Sequence, residues 1–447
     1  IPRSGPRLSG PRKLAGVHGI DSTGFQTSWP ALWLQVETDA MQVQATLFST
    51  LLQQVPWGVF DRAVVAERAD RGHRRLSARS HLATLLLAQL LPMRGLRDIE
   101  AITAAHAKAL GRRRIAPVRR STFADANARR SSGPIEALIP ALLSRLSPCQ
   151  ARQTRQALRL VDATLIRPGF QADPQLSPDS CPCRDGAGAC CAGWARFQNG
   201  NLAAKVHVVF DPTLGVPVFF EVTSGNTNDI TVAKTAMPIE TGATYIFDLG
   251  YYDFGFWADL DRQACRFVTR LKKNTPITIV AEHAVPAGSN VVFDRTVQLP
   301  SRLAASRTNP FGKPGRCIGV RLNTGKTITL FSNDLTSPAE EITELYKTRW
   351  QIELFFRWLK QHLRIRHFFG RSENAVRLQI AAAIVAYLLL KLVHAVARTR
   401  KAAHVFVATL RSALFHRLHV TELVERIDRL RLRPSQPLLE RQGTLAL

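Results

Sequence analysis

The chain has 447 residues, enough for two or three domains, and 45% of them are hydrophobic, which excludes a disordered chain. Its 60 Lys and Arg stand against 34 Asp and Glu, a formal +26, so a polyanionic partner, most simply nucleic acid, is expected. The longest apolar run, Ile380 to Leu390, falls short of the ~20 residues needed to cross a bilayer and reads as a buried core helix.

Residues 1–40 are rich in Pro, Gly and Ser, lack sustained periodicity and precede the first Met, Met41. They are expected to be a disordered tail or a misassigned extension. Residues 41–150 read as an all-helical, basic, DNA-binding region. Apolar residues recur at helical spacing over His81 to Leu110, with a break near Pro92. Arg-rich clusters lie around it, at His73 to Arg79, Gly111 to Arg114 and Val118 to Arg130, and in the last Ser121 or Thr122 is placed to cap a helix. For any single cluster a solvated helix face explains the charge equally well.

After Arg155 the pattern changes. Ala157 to Ile166, Ala204 to Asp211 and Val216 to Gly225 read as strands, the last two joined as a hairpin through Asp211 to Gly215. Asn228 to Met237 reads as a helix. Thr244 to Trp257 reads as a buried strand ending at Asp248, a Gly turn and a helix, and Cys265 to Leu271 as a further strand. Residues 272–335 hold short β-type pieces between Gly and Pro breaks and read as a β-rich insertion. Pro338 to Leu363 reads as one long helix started by Pro and two Glu. A second helix, about 373–397, is apolar nearly all round, and the basic tail, 401–447, is expected to be helical to about 431. Together these describe a mixed α/β core within 151–400.

Asp162 and Asp248 each follow an apolar strand, where ligands of α/β sheets gather. A lone Asp there more often serves a turn. The helix "YKTRWQIELFFRWLKQ" (Tyr346 to Gln361) alters that balance. At ~100° per residue, Tyr346, Arg349, Glu353 and Lys360 share a stripe roughly 60° wide, while Ile352, Leu354, Phe355, Trp358 and Leu359 point elsewhere and can pack. A carboxylate on such a helix is costly unless paired or metal-bound. The plain alternative is an Arg349–Glu353 i,i+4 pair on a solvated face, worth only ~0.2–0.5 kcal/mol. Three carboxylates make an all-oxygen site of the kind Mg²⁺ or Mn²⁺ prefers.

Tyr346, Arg349, Glu353 and Lys360 match YxxRxxxExxxxxxK, and the chain here resembles the DDE transposases of insertion sequence family four, which carry this YREK signature. The resemblance extends over "VDATLI", "WARFQNGNLAAKVHVVFD", "VTSGNTNDI", "FDLGYYDF" and "RRSTFADANARR", roughly residues 45–395. It implies an RNase H-like catalytic core with a β-rich insertion, an all-helical DNA-binding region before it and C-terminal helices after it. By motif, Asp162, Asp248 and Glu353 correspond to the catalytic acids and ligands of two Mg²⁺ or Mn²⁺ ions, with Asp162 bridging both. Tyr346, Arg349 and Lys360 correspond to contacts with DNA phosphate. Two such ions, about 3.5–4 Å apart, activate water and stabilise the leaving 3′-oxygen.

The implied function is cut-and-paste transposition of a bacterial insertion sequence. Its partners would be double-stranded DNA, the terminal inverted repeats and target DNA, with a homodimer in the DNA complex, no membrane, and a cytoplasmic, nucleoid-associated location. A hairpin on the transposon end is the family expectation. Two readings stand against it: a catalytically inactive, transposase-derived DNA-binding protein, and another RNase H-like nuclease such as a junction resolvase.

Three features depart from the pattern. Pro168 to Gly193 is longer than expected and carries Cys181, Cys183, Cys190 and Cys191, whose CxC…CC spacing favours a disordered loop over zinc. The insertion has no Trp, leaving Phe293 and Phe311 as aromatics that could hold a flipped base. His207, on a strand beside the expected site, reads as a packed structural histidine.

Overall fold

The computed structural model describes residues 46–72, 75–146, 157–167, 193–195, 197, 202–285, 287–304, 307–322, 324–363, 365, 367–397, 399, 402–417 and 420–429. The N-terminal extension and the Cys181–Cys191 segment lie outside these residues.

The first region is helical: α1 (Leu47–Gln53), α2 (Trp57–Ala66), α3 (Ala78–Leu90), α4 (Leu96–Ala105), α5 (Ala107–Gly111), α6 (Arg120–Arg129), α7 (Gly133–Glu136) and α8 (Leu138–Leu146). The helical pattern breaks just before Pro92 as expected. The expected cap of α6 is corrected: the helix starts at Arg120 with Arg119 as its N-cap residue, so Ser121 and Thr122 lie inside the first turn.

A nine-stranded sheet follows, in the spatial order Val216–Ser224, Ala204–Asp211, Leu158–Ile166, Thr244–Ile246, Arg266–Arg270, Thr327–Ser332, Gly315–Arg321, Val291–Gln298 and Thr278–Glu282. Its first half is β1 (Leu158–Ile166), β2 (Ala204–Asp211), β3 (Val216–Ser224), β4 (Thr244–Ile246) and β5 (Arg266–Arg270). The antiparallel β1–β2–β3 meander runs into the parallel β1–β4–β5 set. Helices α9 (Asp229–Thr235) and α10 (Phe254–Arg262) connect these strands. The insertion contributes β6 (Thr278–Glu282), β7 (Val291–Gln298), β10 (Gly315–Arg321) and β11 (Thr327–Ser332), and a small separate pair, β8 (Arg302–Ala304) and β9 (Arg307–Thr308). Pairing of β11 with β5 makes the insertion a continuation of the same sheet.

The expected single helix over 338–363 is two: α11 (Ala339–Lys347) and α12 (Trp350–His362). The joint is tight rather than open, because the Arg349 amide bonds back to the Tyr346 carbonyl and that of Ile352 to the Arg349 carbonyl. These three-residue spacings tighten the turn and rotate α12 relative to an ideal continuous helix. The expectation that α12 packs in most directions holds for Ile352, Phe355, Phe356 and Leu359, which are buried, but Trp350 and Leu354 are exposed, at 51% and 44%.

Helix α13 (Glu373–Val396) is long and apolar enough to span a bilayer, yet 89% of its most apolar window is buried within the protein. It packs against α3, α6, α7, α8 and β3. One hydrophobic cluster therefore runs from Leu47 and Leu86 through Ile384 and Leu388 to Leu160, Val206 and Val208 of the sheet. The opposite face of the sheet carries a second, aromatic cluster, in which Trp257 of α10 sits among Phe247, Phe267, Phe311 and Phe331. Phe311 is thus a core residue and unavailable to a base. Phe293 is half-buried, with Arg295 over its ring at 4.8 Å. Helices α14 (Ala403–Ser412) and α15 (Val420–Arg429) close the described chain.

Candidate active site

Asp162 is not at the end of its strand, as its sequence setting suggested, but within it. Antiparallel pairing carries β1 on to Ile166, with Asp162 opposite Val208. The parallel pairing with β4 stops earlier, at Leu160 opposite Ile246. Asp162 therefore lies where β1 outruns β4, and the exit of β4 opens a gap beside it. Two residues on from the last pair in each strand, Asp248 comes level with Asp162. Asp248 leads into a 3₁₀ turn, Leu249–Tyr251, and its Oδ1 accepts the Gly250 amide at 2.8 Å. That bond points the carboxylate along the turn and leaves its second oxygen for other partners.

Helix α12 crosses this sheet end and supplies the third acid. The Arg349 guanidinium reaches Asp162 Oδ2 at 3.4 Å and pairs with Glu353 one turn along the helix. Tyr346 lies against the same guanidinium, 5.9 Å from its ring centre. Lys360 Nζ donates to Thr164 Oγ1 at 2.5 Å, two residues along β1 from Asp162. Tyr346, Arg349, Glu353 and Lys360 thus all reach the β1–β4 gap despite the turn between α11 and α12. The Arg349–Glu353 pair does exist, but the solvated face assumed by the plain alternative does not: the two side chains are 18% and 31% exposed.

The electrostatics follow from this crowding. Burial, then the neighbouring charge of Asp248, push the Asp162 carboxyl up to about 7, against the pull of the Ala163 amide and Arg349. Burial likewise pushes the Tyr346 phenol up to about 12, so it stays a neutral hydrogen-bond donor. Among the described residues no three acidic, His or Cys side chains stand close enough to share one ion; Arg349 lies between Asp162 and Glu353. The donor set nevertheless suits a hard divalent cation, since the groups converging here are carboxylates, and burial, with the charge of Asp248 second, disfavours the bare anion of Asp162.

Two features of the site escape a motif reading. Thr164 becomes visible only through its bond to Lys360. Arg270 ends β5, comes level with Asp248 in the parallel register, and its charge acts on Tyr346. Its Nε is buried with no hydrogen-bond partner among the described residues. The signal was a cation closing an apolar strand, in the run Arg270, Lys272, Lys273.

Comparison with known proteins bears on this site. Residues 154–389 match the family model described as the transposase DDE domain. Residues 43–112 match a family described as a domain of unknown function. A protein of Sinorhizobium fredii named as a transposase is 39% identical over 274 residues, covering 60% of this chain and 70% of that protein. A protein of Geobacillus stearothermophilus named as the transposase for an insertion sequence element is 28% identical over 254 residues, covering 55% and 60%. Among solved structures, the piggyBac transposase synaptic complex with hairpin DNA covers 90% of this chain and 84% of its own, with a TM-score of 0.40 and 10% identity, a likeness that carries no argument.

Proposed function

This chain belongs to the DDE transposases of insertion sequences, and on that premise we propose that it binds the terminal inverted repeats of its element and moves it by cut-and-paste transposition. Asp162, Asp248 and Glu353 are the catalytic acids. Tyr346, Arg349 and Lys360 hold DNA phosphate. The observation that supports the reading is the convergence of Asp162 on β1, Asp248 at the β4 exit and Glu353 on α12, with the Arg349 guanidinium paired to Asp162 and Glu353.

The three carboxylates would hold the divalent metal on which this domain type depends, two Mg²⁺ or Mn²⁺ ions in our reading. Bound there, the ions supply Lewis-acid activation of the attacking hydroxyl and stabilise charge on the leaving 3′-oxygen. The chain's own groups do the rest. Arg349, which pairs with Asp162 and Glu353 in the protein alone, turns to the phosphate that those acids would otherwise repel. Lys360, held over β1 by Thr164, meets the same strand as a point charge. Tyr346, kept neutral by its burial, donates a hydrogen bond to a phosphate oxygen. Cleavage frees a 3′-OH at the element's end, and the same acids then serve its attack on target DNA.

The helical region 41–150 contributes further DNA contact through exposed cations such as Arg112, Arg113, Arg119, Arg120 and Arg129. Pairing two ends calls for two protomers, so the DNA complex is read as a homodimer, working in the cytoplasm of a bacterial cell.

The test is incubation of the purified protein with Mg²⁺ or Mn²⁺ and a duplex carrying the element's end and its flank. Cleavage at the end, lost in Asp162→Ala, Asp248→Ala and Glu353→Ala, is the expected result. Binding without cleavage would instead identify an inactive, transposase-derived DNA-binding protein. Cutting of branched DNA regardless of sequence would identify a junction-resolving nuclease.

A further inference from the structure

Behind the acids, on the aromatic face of the sheet, lies a second charged cluster that the reading above does not use. Lys205 and His207 are alternate residues of β2, so their side chains share one face, opposite that of Val206 and Val208. Both point at Asp229, the first residue of α9. Lys205 Nζ lies 3.0 Å from Asp229 Oδ1 and also donates to the Thr227 carbonyl at 2.7 Å. His207 Nδ1 stands 3.6 Å from the same carboxylate oxygen, and its Nε2 bonds Thr223 Oγ1 at 2.9 Å. The imidazole is 5% exposed, and burial pushes its pKa down to about 4, so it is neutral. Lys205 is therefore the cation that balances Asp229.

The free edge of this cluster faces the Asp248 turn. A Cβ added at Gly250 would sit 3.0 Å from Asp248 Oδ1 and 3.2 Å from Asp229 Oδ2, so the two carboxylates flank one glycine. Tyr251, the next residue, is almost wholly buried, its hydroxyl has no hydrogen-bond partner among the described residues, and it feels the charges of Asp229, Asp162 and Asp248 together. A small cavity lined by Val161, His207, Asp229, Met237 and Tyr251 lies beside this cluster. The turn that bears Asp248 is thus backed by a like charge from the far side of the sheet.

We infer that Asp229 is a positioning residue for Asp248: Lys205 holds its Oδ1 behind Gly250, and its other oxygen, Oδ2, turned from Lys205 toward the Asp248 turn, keeps the Asp248 carboxylate facing Asp162. Like charges this close repel strongly when partly shielded from water. With Asp229 anchored and Asp248 on a short turn, it is Asp248 that yields, toward the gap beside β1. The inference rests on the assignment of Asp248 to the metal-binding acids. It gives a purpose to Asp229 and to its partner Lys205.

The test is Mn²⁺ affinity of the full chain without DNA, followed by electron paramagnetic resonance, with circular dichroism and thermal melting as controls on folding. Asp229→Ala and Asp229→Asn are each expected to weaken Mn²⁺ binding by about 10–100-fold, the usual effect of losing a group that orients a metal ligand. Gly250→Ala, whose methyl intrudes between the two carboxylates, should weaken it too, and should cost less when added to Asp229→Ala than alone. Wild-type Mn²⁺ affinity in folded Asp229→Asn, beside its loss in Asp248→Ala, would overturn the inference and leave the acid site standing. So would a full additional penalty from Gly250→Ala in the Asp229→Ala background. Unchanged binding in Asp248→Ala would remove the acid-site reading itself, and the inference with it.

Discussion

Asp162 stands beside Asp248 and under the reach of Glu353, with one guanidinium to answer them. Its raised pKa, about 7 against an ordinary 3.8, has a definite sign in stability. Between those values the folded protein keeps a proton that the unfolded chain releases, so this residue's contribution is full below about 4 and is lost as pH rises through 7. Asn at 162 removes the titration. In metal-free buffer, Asp162→Asn is therefore expected to gain melting temperature over the wild type on going from pH 5 to pH 8; a difference that does not change with pH would contradict the assigned environment. Metal binding by the wild type should also weaken as pH drops below 7, where Asp162 takes up its proton.

At the scale of elements, the insertion is held by a buried ion pair. Arg316 of β10 makes two hydrogen bonds to Asp294 of β7, both at 2.5 Å, and also reaches the Leu335 carbonyl ahead of α11. Both side chains are almost fully buried. Asp294→Ala leaves that guanidinium without its partner and is expected to cost about 3–5 kcal/mol, measured by denaturant unfolding. A loss under 1 kcal/mol would mean that water reaches the pair.

Element identity was legible where pattern is local. The apolar runs at Leu158–Ile166 and Ala204–Asp211, the Asp211–Gly215 hairpin and the break before Pro92 each follow from adjacent residues. The joint between α11 and α12 was not, because Lys347, Thr348 and Arg349 are unremarkable inside a helix and the turn depends on what α12 packs against. The gap beside Asp162 was equally hidden, since it is set by how far β4 extends. The signature residues of α12 were legible as a stripe. The partners Thr164 and Arg270, and the backing of Asp248 by Asp229, lie up to about two hundred residues from them and emerge only with strand register.

For the whole molecule, the surplus of 26 positive charges predicts DNA binding that weakens steeply with salt. Lys360 is read as one phosphate contact, so Lys360→Ala should reduce the slope of log affinity against log salt by about one, whatever the DNA sequence. An unchanged slope would contradict that contact. The shared core of α13 with the helical region and the sheet ties that region to the acids.

In the proposed function, Asp162, Asp248 and Glu353 together carry metal-dependent cutting of the element's end. The most direct measurement is single-turnover cleavage of one end-bearing duplex by the wild type and the three alanine variants, with affinity for that duplex measured in parallel without metal. Loss of at least about a thousandfold in rate in every variant, with near wild-type affinity, is the predicted result, equivalent to about 4 kcal/mol of barrier. Cleavage that survives the loss of any one of the three acids would contradict it.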